Sequence, residues 1–320
     1  QPPASGNTGE VSETIPVNFQ RPQGHGDRIY FRIREHGTTI GISAYYYARE
    51  ADSQLFSPLK ETTGPMCLII FAHQVSETFP LVVAANRDEF HARPTDPAQF
   101  WPEHPGLLAG RDLQAGGTWM GIHRNGRFAA ITNFRDPAQT RPAPRSRGEL
   151  PTRFLLGEPG PEAYLAELEP SAGDYAGFNL LLGEGEELWY FSNNGPLTSR
   201  QATRLSPGIY GLSNALLDTP WPKVVLGKQA MERALASASP DHDQLAAVVQ
   251  DRQLASREHL DTQGLNGDMD QLLSAQFIVN PSYGTRATTT CWRDSGGRYH
   301  WREQSVGENG EPSGTVEHHS

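Results

Sequence analysis

Two cysteines occur in the 320 residues, Cys67 and Cys291, and Cys67 directly follows Met66, the first of only four methionines. A cysteine at an amino terminus is a nucleophile that carries its own base. Its α-amino group has a reference pKa of roughly 7.7–8.0, so at neutral pH a useful fraction is unprotonated. It can take the thiol proton directly or through one water. Inside a chain, the same residue at the head of an apolar run is a small core side chain. Chemistry at Cys67 therefore requires a free α-amine. The expectation is that translation begins at Met66 and the methionine is trimmed, residues 1–65 being an upstream-start extension or a segment that is removed. With that segment attached, the Cys67 nitrogen is a peptide amide and not a base. Cys291, between Thr290 and Trp292, reads as packing.

The second chemical cluster is Asn86-Arg87-Asp88-Glu89, closing the apolar run LVVAA. One reading is a solvated strand end. The other is a fixed ion pair of Arg87 with Asp88 or Glu89 beside Cys67, where a guanidinium would lower the thiol pKa and a carboxylate would hold the α-ammonium. Asn133 and Asn214 each close a strand-like run, as turn residues or as amide donors for the charge that develops on a tetrahedral intermediate. Arg286, after Tyr283-Gly284-Thr285, is a surface arginine or a second cation of the same cleft. The sequence contains no GxxxxGK[ST], HExxH or CxxC, its 11 histidines are scattered, and nothing supports a metal site.

The elements that must position these residues are mostly strands. CLIIFA (67–72) and PLVVAANRD (80–88) read as buried strands. WMGIHRNGRFAAITN (119–133) reads as a hairpin with a tight primed turn at Asn125-Gly126. Further hairpins are expected at 178–193, turning at Gly185, and at 287–304, turning at Gly296-Gly297. Helices are expected at 149–156, 161–169, 223–236 behind Pro220 and Pro222, and 241–254 capped by Asp241 or Asp243. Two strand-like runs around Glu35-His36-Gly37 form an isolated hairpin, 1–22 reads as disordered and 57–65 as loop-like. The C-terminal tail reads as polar. Strands early, helices in the middle and strands again at the end indicate an α+β fold.

Charge and composition narrow the class. Lys and Arg number 27 against 37 Asp and Glu, a net charge of −10. Residues 1–65 carry six basic and seven acidic groups, so nearly all of that charge belongs to residues 66–320. An acidic chain without clustered basic residues is not a sequence-independent nucleic-acid binder. No apolar run approaches the roughly 20 residues of a membrane span, and mean hydropathy is −0.55. Two cysteines make no disulfide framework, which points to a reducing, cytoplasmic setting.

Ten short motifs fall in one order: Met66-Cys67-Leu68-Ile69-Ile70-Phe71, AANRDEF (84–90), Arg93-Pro94, GGTWMGI (116–122), AAITN (129–133), RGEL (147–150), GFNLL (177–181), YGLSN (210–214), TPWPK (219–223) and YGTR (283–286). From Met66 to about residue 305 the chain strongly resembles the NRDE family, also called the transport and Golgi organisation 2 family. The resemblance implies a four-layer αββα sandwich of the N-terminal-nucleophile hydrolase kind, in which choloylglycine hydrolases and penicillin V acylases cleave amides with an amino-terminal cysteine. It implies Cys67 as nucleophile, Arg87 and Asp88 as the arginine–aspartate pair, Asn133 and Asn214 as oxyanion and amine-positioning amides, and Arg286 as the distal arginine. The first 65 residues have no counterpart in it. Family biology, linked to secretion and Golgi organisation, haem mobilisation and acyl-coenzyme A handling, implies an alternative: a non-catalytic binding protein for haem or an acyl thioester. A hydrolase of this kind needs no cofactor. Its partner would be a small acyl amide or thioester, or haem in the alternative.

Overall fold

The computed structural model describes residues 29–35, 38–44, 66–135, 143–194, 202–236, 241–265, 267 and 269–320. The stretches 1–22 and 57–65, read above as disordered and loop-like, lie outside them. The chain divides after Leu59 into two units. In the first, β1 (Ile29–Glu35) and β2 (Thr38–Ala44) pair antiparallel, from Ile29 opposite Ala44 to Glu35 opposite Thr38.

The second unit opens with β3 (Cys67–His73) and β4 (Leu81–Phe90), an antiparallel pair in which Cys67 faces Arg87. The chain then builds a seven-stranded sheet from β5 (Thr95–Trp101), β6 (His104–Asp112), β7 (Met120–His123), β8 (Phe128–Asn133), β9 (Phe178–Glu184), β10 (Glu187–Ser192) and β11 (Thr203–Arg204), neighbours in space following the order in sequence. It returns through β12 (Gly208–Leu212), β13 (Tyr283–Arg293), β14 (Tyr299–Val306) and β15 (Pro312–His319) to complete a six-stranded sheet ordered β12-β3-β4-β13-β14-β15.

Alternation along the strands makes the layers. Ile69, Phe71, Val83 and Ala85 of one sheet meet Leu108, Ile122, Ala130 and Leu181 of the other in a shared core, each large side chain contributing roughly 1.5–3 kcal/mol by leaving water. The outer face of the seven-stranded sheet buries Leu180 and Leu182 against α1 (Glu149–Leu156) and α2 (Pro161–Leu168). The outer face of the six-stranded sheet carries α3 (Pro222–Leu235) on β12 and β3, and α4 (His242–Ala247) on β4 and β13. Short helices α5 (Arg257–Thr262) and α6 (Asp270–Leu273) follow. The fold is the α+β, four-layer αββα sandwich that the resemblance implied. Among the described residues, no helix is long and apolar enough to cross a membrane.

Several local expectations are corrected. The helix expected over 241–254 covers only His242–Ala247. Asp241 does cap it, but the carbonyl of Val249 accepts from Asn86 Nδ2 and that of Asp251 from the amides of Gln276 and Phe277, which draws the chain out of helical geometry. At 125–126 only Gly126 has positive φ (+93°), so the turn is of type I closed by a glycine bulge rather than primed. The polar C-terminal tail is the edge strand β15, whose solvated position needs no apolar alternation. Strands β5 and β6 were not expected; Pro97 interrupts β5, which is tolerated because β5 lies at the sheet edge.

Candidate active site

Two boundary shifts reorganise the motifs. β4 runs on to Phe90, so Asn86-Arg87-Asp88-Glu89 lies within the strand rather than after it, and its side chains split between two faces. Asn86 and Asp88 turn to the helix layer, where Asn86 Nδ2 donates to the carbonyls of Val249 (2.7 Å) and Gln276 (2.8 Å). Arg87 and Glu89 turn to the space between the sheets, on the Cys67 side, and pair with each other at 3.5 Å. The alternative pair, Arg87 with Asp88, is not formed. Likewise β13 begins at Tyr283 and contains the Tyr-Gly-Thr-Arg motif. Its register against β4 slips between Thr285 and Ala287. Arg286 is the extra residue of that bulge, a device that re-aims one side chain out of the ladder.

Cys67, Arg87, Asp88, Asn133 and Arg286 all line one cleft of about 370 Å³ between the open ends of the sheets. Asn214 stands behind the wall, two residues past β12. Its Oδ1 accepts from the Cys67 amide (3.1 Å), and its Nδ2 donates to the carbonyl of Asn133 (2.8 Å). Ser213 donates its hydroxyl to the Cys67 carbonyl (2.8 Å). A buried network fixes this segment: Thr132 Oγ1 donates to the Ser213 carbonyl (2.7 Å), Asn179 Nδ2 to the Ala215 carbonyl (2.9 Å), and Tyr190 donates its hydroxyl to Asn179 Oδ1 (2.8 Å). Met66 is held as tightly, its amide donating to the Tyr283 hydroxyl (2.5 Å) and its carbonyl accepting from the Asp88 amide (3.1 Å).

With Met66 attached, the Cys67 thiol is not activated. Burial, with the Asp88 charge next, pushes Cys67 up to about 12, against the pull of the Asp88 amide and the Arg87 guanidinium. Asp88 is pushed up to about 7, again chiefly by burial, although Lys223, the Thr285 hydroxyl (2.7 Å) and Arg87 oppose this. Among the described residues its second oxygen, Oδ2, is buried without a hydrogen-bond partner. Lys223 itself is buried at the start of α3, donates Nζ to the Leu273 carbonyl (3.0 Å), and is held below the usual lysine range by burial.

Four contributors stand outside the six residues singled out: Lys223, Arg147, Arg93 and Asn179. Each lies in a motif quoted above, and the signal available was a charged or amide side chain in an otherwise tight apolar or glycine-rich stretch. Arg147 reaches the cleft because Gly117 and Gly148 touch: a Cβ on Gly117 would sit 2.4 Å from the Gly148 carbonyl. Among the described residues the cleft lining includes one cysteine, Cys67, and no histidine. Among the described residues no group of His, Cys, Asp and Glu is arranged to hold a metal ion.

Comparison with known proteins bears on the same span. The chain resembles the Bos taurus transport and Golgi organization protein 2 homolog, with 36% identity over 261 residues, 75% of this chain and 93% of that protein. The Homo sapiens homolog is 35% identical over 264 residues with the same coverage, and the Drosophila melanogaster protein 26% over 268 residues, covering 75% and 92%. A solved structure, the Caenorhabditis elegans N-acylethanolamine-hydrolyzing acid amidase ortholog, aligns loosely at a TM-score of 0.36 and 10% identity, over 72% of this chain and 93% of that one. The sequence pattern of Transport and Golgi organisation 2 matches residues 66–308, a span that holds Cys67, its partner Asn214 and every wall of the cleft up to β14. The chain therefore belongs to the transport and Golgi organisation 2 family.

Proposed function

We propose that this protein hydrolyses a small acyl amide or thioester, with Cys67 as nucleophile once its α-amine is free. The observation that carries this is the grip on Cys67. Its nitrogen is bonded by Asn214 and its carbonyl by Ser213, while its side chain faces a cleft lined by Arg87, Asn133 and Arg286. Hydrolysis of the Met66–Cys67 bond converts that nitrogen from an amide to an amine with a pKa of roughly 7.7–8.0. The amine takes the thiol proton and the sulfur attacks the substrate carbonyl. Asn133 is the donor assigned to the oxyanion. The leaving amine or thiol departs with the proton, and water then releases the acid and restores the thiol. Asp88 Oδ2, buried and without a hydrogen-bond partner among the described residues, is the carboxylate oxygen assigned to the α-ammonium.

A second reading is favoured by the burial and the Asp88 charge that push the Cys67 thiol up while Met66 is attached: a carrier that binds an acyl thioester without turnover. A cysteine-directed acylating probe separates the two. We expect a mass increase of one acyl group on a species whose first residue by sequencing is Cys67, and none on Cys67→Ala. Labelling that persists in Cys67→Ala removes the hydrolase reading.

A further inference from the structure

The cleft is lined by carboxylates, Asp88, Glu89, Asp96, Asp112 and Glu303, and by arginines that do not pair with them one to one. Five arginines line it: Arg87, Arg93, Arg111, Arg147 and Arg286. Two are satisfied, Arg93 by Asp112 at 2.6 Å and Arg111 by Glu103 at 2.5 Å. The Glu89 carboxylate serves the others poorly. One oxygen accepts from the Phe90 amide, and the second lies 3.5 Å from Arg87 and 3.6 Å from Arg93. Arg147 forms no ion pair among the described residues; its one hydrogen bond runs from Nη1 to the Gly177 carbonyl (2.9 Å). Arg286 is held by neutral groups, Nη1 donating to the carbonyls of Phe90, His91 and Arg93 at 3.0–3.2 Å.

A guanidinium drawn out of water without a carboxylate is costly, and here several converge from separate segments. Arg87 comes from β4 opposite Cys67, Arg286 from the bulge of β13, and Arg147 from the turn before α1, on the far sheet. Burial chiefly holds Arg147 and Arg286 below the usual arginine range, Arg147 at about 10; Glu89 pulls each back up, while Arg93 adds a smaller repulsion on Arg147 and Arg87 one on Arg286. A planar fork with free donors is the geometry that takes carboxylate or phosphate in a two-point contact.

We infer that Arg147, together with Arg87 and Arg286, forms a subsite beside Cys67 for an oxyanionic group, carboxylate or phosphate, carried by the molecule that enters the cleft. The cleft lies at the small end of ligand sites, which run from about 300 to 1,000 Å³, so the anion sits close to the carbonyl presented to Cys67. Describing that molecule as an acyl substrate rests on the hydrolase reading; the anion subsite does not.

The test is calorimetric titration of the full chain carrying Cys67→Ala, at low ionic strength, with succinate, inorganic phosphate and neutral succinamide. We expect saturable binding of at least one anion, at least tenfold tighter than succinamide and weakened by added salt. The better of the two identifies the carboxylate or phosphate source. Adding Arg147→Gln should weaken anion binding at least tenfold, with the melting transition retained. If that variant fails to fold, Arg147→Lys, which keeps the charge and loses the fork, should weaken it at least threefold. No anion binding, or binding equal in the Arg147 variants, overturns the inference even if Cys67 acylates. Anion binding without Cys67 acylation upholds it and removes the hydrolase reading.

Discussion

The two cysteines stand in the same six-stranded sheet, both buried, and their surroundings have nothing else in common. Cys291, in the middle of β13, is packed among Tyr299, Trp301 and other hydrocarbon, and burial alone drives its thiol far above the usual range. Cys67, at the start of β3, is pushed up to about 12, but there burial is joined by the Asp88 and Glu89 charges and opposed by a backbone amide and a guanidinium. Burial of a thiol therefore does not separate structure from chemistry; charged and hydrogen-bonding neighbours do. At Cys67 the thiol is kept protonated by an environment whose charges a free α-amine would change, whereas around Cys291 no such lever exists.

The largest effect expected from this contrast is kinetic. With Met66 attached, a thiol at about 12 rather than 9 makes roughly 10³-fold less thiolate near pH 8. Alkylation of Cys67 by iodoacetamide should be slower than in the unfolded chain by about that factor and should rise about tenfold per pH unit. Cys291 should stay unmodified until the protein unfolds. Equal rates at the two sites, followed by peptide mass analysis, would dissolve the comparison.

Next in size is Asp88, whose charge raises the Cys67 thiol and which has no equivalent near Cys291. Asp88 is raised on folding from 3.8 to about 7, so the folded protein binds more protons between those values. The associated stability is fully present below about pH 4 and is lost as pH rises to about 7. At about 1.4 kcal/mol per unit, this amounts to roughly 4–5 kcal/mol. Urea unfolding of wild type and Asp88→Asn from pH 4 to 8 should show their stability difference shifting toward the variant by that amount as pH rises. A pH-independent difference would place Asp88 in an ordinary, solvated setting.

The smallest expected effect concerns the loop that brings Arg147 over the cleft. Gly117→Ala puts a methyl group against the Gly148 backbone and should cost about 1–3 kcal/mol by overpacking, read as a lower melting temperature. The same change should weaken the cleft's hold on succinate or phosphate. A variant with unchanged melting would mean that the two glycine turns can separate freely and that Arg147 is not fixed by them.

Much of the strand content was legible beforehand because it depends on local pattern. The pair at 67–73 and 81–90, the Gly185 and Gly297 hairpins, the Asp241 cap and the helices behind Pro161 and Pro222 follow from alternation, capping and turn chemistry acting over a few residues. Element ends were less legible. Whether Asn86-Arg87-Asp88-Glu89 closes a strand or lies inside it depends on β13 pairing alongside, nearly 200 residues later. The short helix after Asp241 stops where Asn86 and Gln276 claim its carbonyls and amides.

The same division holds for the site. The residue types were determined by the sequence: a cysteine after a methionine, an arginine and aspartate after an apolar run, asparagines and an arginine closing later motifs, all in the order shared with one family. Their directions were decided by tertiary structure, because side chains alternate along a strand and only pairing with distant segments says which face meets what. It turned Arg87 toward Cys67 and Asp88 toward Lys223, set Asn214 on the Cys67 nitrogen, aimed Arg286 out of a bulge and added Arg147 from the opposite sheet. Above all, it set the protonation of the thiol. Desolvation is a property of the packed surroundings, and no local run of residues around Cys67 encodes it.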